Sequence, residues 1–282
     1  MERNPETTAI LDVRAAAAFE SLHLAEAVNI PLEELPGRIH ELPPKTTPIV
    51  ICDTDRERAE SARALLLLRG RIVTDVLHGP DCLRAGPTTS GPTRVRLWRP
   101  HTLLQEAVCV AQGLWGSVQG RRALDVACGS GRDAVYLALA GFEVEGWDIL
   151  PDAIARCEDL AARNGVEVRT RVRDLREPLT AAAEAYDLIS CFYYLQRPIM
   201  AGLAAAVLPG GLVVYETFAD PHPLMFSRPR GRANVLRAGE LPTWFSHWQV
   251  ITSREGLTEP NRFAASLIAR SPVGRALPAG EG

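Results

Sequence analysis

Lysine is nearly missing from this 282-residue chain: Lys45 stands alone, and arginine supplies the other 30 basic residues. That bias tracks coding preference and carries no information about activity. A strong charge of either sign is missing too. A formal net charge of −3 gives no general pull toward phosphate backbones, so nucleic acid is not an expected partner. No apolar run approaches the length of a membrane span, which removes the membrane as a partner. The charged stretch 1–6 lacks the apolar segment of a secretory signal. Cys52, Cys82, Cys109, Cys128, Cys157 and Cys191 are scattered, with no paired spacing for a metal. Such usage fits a reducing cytoplasm better than a disulfide scaffold. Internal repeats and low-complexity tracts are absent.

What is present begins with 46% hydrophobic residues, ample for packed cores in a chain long enough for two domains. A stretch dense in turn formers, residues 84–93, marks a boundary. The expected division is a first domain over 1–85, a linker over 86–96, a second domain over 97–270 and a loose tail over 271–282.

The most informative stretch is 124–134. It reads as a hydrophobic strand reaching Asp125, a turn on Gly129 and Gly131, and a helix that opens at once. Glycine lets the backbone approach a ligand, and the first free N–H groups of a helix face it. By itself this pattern fits a dinucleotide site equally well. A second strand over 142–147 then delivers Asp148 to its end, about 20 residues past the glycines, where an acid can bond both hydroxyls of a ribose. A third strand over 166–173 is followed by Asp174 and Leu175. Its Arg169, Arg171 and Arg173 alternate as a solvated face. A fourth, buried strand ends in Cys191, Phe192, Tyr193 and Tyr194, and a Leu208-Pro209-Gly210-Gly211 turn launches a fifth.

Those parts in that order resemble the class I S-adenosylmethionine-dependent methyltransferases. The resemblance implies an α/β, Rossmann-like domain with a mostly parallel seven-stranded sheet closed by an antiparallel strand, and S-adenosyl-L-methionine as cofactor. It assigns Asp125, Ala127, Gly129 and Gly131 to the methionine end, Asp148 and Ile149 to the ribose side, and Asp174 with Leu175 to the adenine. Cys191 and Phe192 would line the floor under the sulfonium, the cysteines being small buried filler.

Ahead of this module, Leu11-Asp12-Val13-Arg14, then His23 through Pro31, then a strand over 48–52 carrying Cys52 to its tip before an alanine- and leucine-rich helix, resemble a rhodanese-like domain. In active members the cysteine carries a persulfide cradled by loop amides. Here the loop 52–58 lacks the family's usual glycine and well-placed arginine, and it is one residue longer. Asp53, Asp55 and Glu57 oppose a thiolate, and Arg56 and Arg58 offset them only in part. A degenerate domain is expected, with Cys52 catalytic only if the domain is active.

On the acceptor side, residues 102–115 read as an amphipathic helix covering the cofactor, with Trp98 and Arg99 ahead of it. The irregular stretch 219–238 carries Arg228, Arg230, Arg232 and Arg237, able to fix a small anion. Methyl transfer mainly requires alignment and exclusion of water. A thiol ionises with little help, whereas an alcohol or phenol needs a general base, for which Glu216 and His222 are the candidates. Tyr193, Tyr194 and Arg197 would shape the pocket. The fourth-strand ending looks nearest to small bacterial tellurite and thiol methyltransferases, which implies a small-molecule acceptor, in one version a reduced sulfur or chalcogen. The other readings are a rhodanese-type sulfurtransferase using Cys52 with a regulatory cofactor-binding module, a non-catalytic cofactor sensor, and a dehydrogenase.

Overall fold

The computed structural model describes residues 8–176, 185–226, 229, 231–259 and 262–273. They form two compact units, Met1–Arg99 and Pro100–Gly282. Among the described residues no helix is long and apolar enough to cross a membrane.

In the first unit, strands β1 (Ala9–Asp12), β2 (His23–Leu24), β3 (Ala27–Asn29), β4 (Pro48–Asp53), β5 (Ile72–His78) and β6 (Thr88–Thr89) accompany helices α1 (Ala16–Ser21) and α2 (Arg56–Leu68). A parallel sheet runs in the order β3-β1-β4-β5, while β2 and β6 pair separately. Leu11, Ile49 and Ile51 of the sheet pack on Ala59, Ala62 and Leu66 of α2. Leu97 joins that core, and Trp98 is buried with the Arg96 guanidinium 5.8 Å above its ring.

The second unit starts with α3 (Thr102–Trp115), the leading helix read from the sequence. It continues through β7 (Arg122–Val126), α4 (Arg132–Ala140), β8 (Glu143–Asp148), α5 (Pro151–Arg163), β9 (Val168–Val172), β10 (Tyr186–Phe192), α6 (Met200–Ala206) and β11 (Val207–Phe218). Then come α7 (His222–Met225), α8 (Glu240–Thr243), β12 (Gln249–Glu259) and β13 (Arg262–Arg270). The sheet order is β12-β13-β11-β10-β7-β8-β9, with β13 antiparallel to both of its neighbours and the five strands β7 to β11 parallel. This is the seven-stranded, mostly parallel arrangement that the motif order implies. The central strands β10 and β11 are buried along nearly their whole length, as a parallel sheet covered on both faces requires.

Local rules explain the covering helices. α5 opens with Pro151, pre-set for a first turn, and buries Ala153, Ile154, Cys157, Leu160 and Ala161 as one stripe. β7 lies between β8, which follows it in the chain, and β10, which comes later. The order reverses there, so the carboxyl tips of β7, β8 and β10 border the crevice where open α/β sheets hold ligands.

Two expectations change. Among its described residues the stretch 219–238 contains the short helix α7 and a 3-10 turn at Arg232–Asn234. Of its arginines, Arg228 and Arg230 lie outside the described residues, as do 1–6 and most of the tail. The arginines of the third strand are more than a solvated face. Arg169 and Arg171 pair with Glu143 and Glu145 on β8, and the Arg173 guanidinium lies 4.3 Å from the Trp147 ring centroid.

Candidate cofactor and acceptor site

The turn after β7 is built from backbone that few residues adopt. Ala127 has φ +57°, Gly129 +55° and Gly131 +82°. The two glycines serve different ends. A Cβ on Gly129 would meet nothing within 4 Å, leaving that side open to a ligand. A Cβ on Gly131 would collide with Cys157, whose Cβ lies 2.7 Å from that position and whose Cα lies 2.9 Å away. Cys157 of α5 thus packs directly against the turn at Gly131.

Asp125 lies within the buried part of β7, one residue before the strand ends. Its Oδ1 accepts from Ser190 Oγ at 2.9 Å, and its Oδ2 is buried without a hydrogen-bond partner among the described residues. Burial, then the nearby charge of Asp133, push its carboxyl well above the ordinary carboxylate range. A buried carboxylate oxygen left unpaired beside a glycine turn fits an ammonium donor, the group that a methionine moiety carries. The residues therefore fit the cofactor at this end.

Asp148 stands at the tip of β8, at the place the motif assigns, but it faces back. Its Oδ2 accepts from Gly129 N and its Oδ1 from Leu150 N, each at 2.9 Å. Each oxygen keeps a second lone pair for a hydroxyl donor. Ile149 follows it, 47% exposed, an apolar surface beside the acid. Asp174 is held by Arg176 through both guanidinium contacts and a backbone N–H, which keep its carboxyl down to about 2. Leu175 is buried. Cys191 is fully buried with its thiol pushed up by burial, and Phe192 is half-buried at the end of β10.

The acceptor side differs more from expectation. Glu216 is buried on β11, with Oε1 accepting from Tyr193 OH at 2.7 Å and Oε2 from Ser266 Oγ at 2.6 Å. Burial and Glu216 push the Tyr193 phenol up. His222 is buried between the rings of Phe218 and Phe226, and its Nδ1 accepts from Phe263 N at 2.9 Å. That bond spends one ring nitrogen on holding α7 to β13. Arg197 forks onto Glu240 and donates to the carbonyls of Ala233 and Val235, which spends its guanidinium on holding the 3-10 turn at Arg232–Asn234 and the residue after it. Tyr194 contributes its carbonyl, which accepts from Tyr215 OH at 2.5 Å.

Sequence reasoning missed His101. Its ring stacks on Phe192 with centroids 4.1 Å apart and planes 6° apart, and it also meets Tyr193 at 5.1 Å. Nδ1 lies 3.8 Å from Glu216 Oε1, and the backbone N donates to Asp133 Oδ1 at 2.7 Å. One residue thereby joins the glycine-turn side to the tips of β10 and β11. No local motif flags it, because it lies at the start of an otherwise ordinary amphipathic helix.

In the first unit Cys52 is fully buried, and its Sγ donates to the Cys82 carbonyl at 3.3 Å. Burial and Asp12 push its thiol up. Asp55 caps α2 by accepting from Glu57 N and Arg58 N. The amides that would cradle an anionic sulfur are thus occupied by the chain's own carboxylate. Among the described residues no cluster of three His, Cys, Asp or Glu could hold a metal.

Comparison with known proteins agrees with this geometry. The family model described as a methyltransferase domain matches residues 123–211, and the one described as a rhodanese-like domain matches residues 1–80. The ubiquinone biosynthesis O-methyltransferase of Alkalilimnicola ehrlichii is 32% identical over 169 residues, covering 53% of this chain and 68% of its own. The enzyme of that name from Bordetella avium is 34% identical over 122 residues, covering 41% of this chain and 51% of its own. An uncharacterized protein of Schizosaccharomyces pombe is 24% identical over 319 positions and covers 92% of each chain. The chain spans about half the length, 51%, of the first two curated relatives it matches. The structure of TehB from Haemophilus influenzae aligns with a TM-score of 0.47 at 22% identity, over 59% of this chain and 62% of that one, too loose a match to bear on substrate. The chain belongs to the S-adenosylmethionine-dependent methyltransferase family and carries a rhodanese-like domain ahead of its methyltransferase fold.

Proposed function

We propose that the protein transfers a methyl group from S-adenosylmethionine to a small-molecule nucleophile in the cytoplasm, independently of nucleic acid or membrane. The observation that carries this is the unpaired, buried Oδ2 of Asp125 beside the Gly129 turn. When bound, the cofactor supplies a methyl group on a sulfonium. Asp125 would hold its ammonium, Asp148 its ribose, and Ile149 and Leu175 would supply apolar contacts to the adenine. Phe192 and the half-buried Tyr193 and Tyr194 would exclude water from the reacting end.

The acceptor we propose carries its nucleophile as a thiol, a reduced chalcogen or a hydroxyl. Purified protein with labelled S-adenosylmethionine is offered sulfide, methanethiol, selenite, tellurite and small alcohols and phenols. A methylated product from any of them supports the reading. Absence of both product and calorimetrically detected binding of S-adenosylmethionine or S-adenosylhomocysteine overturns it.

The sulfurtransferase alternative has less support, given the buried Cys52 and the Asp55 cap. Incubation with thiosulfate should leave the intact mass free of an added sulfur atom. A persulfide located on Cys52 by peptide mapping would reverse that ranking.

A further inference from the structure

We infer that His101 is the general base of the acceptor site and that Glu216 orients it, so the acceptor enters as a small molecule whose hydroxyl is still protonated at neutral pH. The inference rests on the methyltransferase reading above.

The ring is fixed from two directions. It lies flat on Phe192, next to Cys191 at the tip of β10, and its own backbone N–H is held by Asp133 on the first turn of α4. Among the described residues neither ring nitrogen of His101 is hydrogen-bonded, while Nδ1 faces Glu216 Oε1 at 3.8 Å. That is a long contact of the kind that tightens when substrate closes a site. Glu216 itself is poorly suited to take the proton, since Tyr193 and Ser266 already donate to its two oxygens. The Tyr193 phenol is pushed up by burial, and His222 is committed to Phe263. His101 remains.

The charged and titratable groups around it come from every neighbouring element. Glu216 lies on β11, Asp133 on α4 and Tyr193 after β10, with Arg262 of β13 over the Tyr193 ring at 4.4 Å and Arg132 beside Asp133. Burial pushes the Asp133 carboxyl up. Glu216, buried and accepting from two neutral hydroxyls among the described residues, is the group that stabilises an imidazolium as it forms. The histidine side chain is 17% exposed, so its proton has a route to water.

The balance is simple. His101 Nε2 takes the hydroxyl proton as the hydroxyl oxygen bonds the transferred carbon. That carbon's bond to the donor sulfur breaks, with the electron pair going to sulfur. The imidazolium beside Glu216 then returns the proton to solvent. A thiol, ionising at about 8.5 unaided, would gain little from such an assembly, and a hydroxyl would gain most.

The first test needs no turnover. Nitrogen-detected NMR of the uniformly labelled free protein, with the His101 signals assigned by their loss in His101→Gln, should show Nδ1 protonated and Nε2 bare. Glu216→Gln should shift that tautomer population toward the other form. The second test is kinetic. With whichever hydroxyl acceptor is turned over, His101→Gln should lose about 100-fold or more in kcat and flatten the acid limb of the parent's pH profile. Its affinity for S-adenosylhomocysteine should stay within about threefold of the parent's, so that the loss lies in kcat. A bare Nδ1 with Nε2 protonated, kcat retained within about threefold, or loss of S-adenosylhomocysteine binding together with kcat would each overturn the assignment. If the unaltered protein binds neither form of the cofactor, the underlying reading has failed instead.

Discussion

Asp125→Asn should bind S-adenosylhomocysteine about 100-fold more weakly than the parent protein while melting at a higher temperature when cofactor-free. The first half follows from what the carboxylate is for. Truncating one partner of a buried, hydrogen-bonded charge pair costs roughly 2–5 kcal/mol, and about 2.8 kcal/mol is already 100-fold in affinity. The second half follows from linkage. Burial, with Asp133 adding to it, raises the carboxyl of Asp125 above its unfolded value. Between those two values the folded protein binds more protons than the unfolded chain, so stability falls as pH rises through that window. The parent takes on this destabilisation as pH rises through that window, and asparagine removes it while keeping an acceptor for Ser190. Thermal melts of both proteins from acid to neutral pH should therefore diverge as pH rises, with the variant on top. A variant that binds S-adenosylhomocysteine normally, or that melts below the parent at neutral pH, would contradict the role given to the unpaired Oδ2.

Gly131→Ala and Gly129→Ala, two residues apart, should fail in different ways. At Gly131 the left-handed backbone costs an alanine about 1–2 kcal/mol. The collision with Cys157 adds roughly 1–3 kcal/mol of overpacking. The sum, about 2–5 kcal/mol, is a large part of a domain's usual margin of about 5–15 kcal/mol. Denaturant unfolding should show it directly. At Gly129 the added methyl meets open space, so only the backbone cost of about 1–2 kcal/mol applies. Its larger effect should be on cofactor affinity, because the methyl occupies the side from which a ligand approaches. Calorimetry and unfolding together separate the two cases. Equal losses of stability would mean that Cys157 yields more readily than its backbone contact suggests.

The fold was legible because its signals are local and recur in register. The buried strands β10 and β11 are largely apolar. Asp125 lies within β7 and Asp148 closes β8, and the two glycines occupy left-handed positions that little else tolerates. Side-chain partnerships across distant segments were not legible. Arg197 looked like a pocket residue, yet it forks onto Glu240, which only the return of the loop brings near. His222 looked like a base, but β13 supplies the Phe263 amide that binds its ring. His101 carried no motif, and its closeness to Glu216 exists only once α3 packs along β11 with its first end near that residue. The loop after Cys52 lies between these cases: its acids announced a poor thiolate site, whereas the capping of α2 by Asp55 depended on backbone geometry.

The twin bonds of Asp148 have a consequence for how the crevice is entered. By gripping the amide of the glycine turn with one oxygen and that of the following loop with the other, this carboxylate fixes the gap between two neighbouring strand ends before anything arrives. The ordering that a sugar would otherwise have to impose is done when the chain folds. Adenosine alone should therefore meet a rim already at its working width, and the entropy loss left for the encounter is mostly its own.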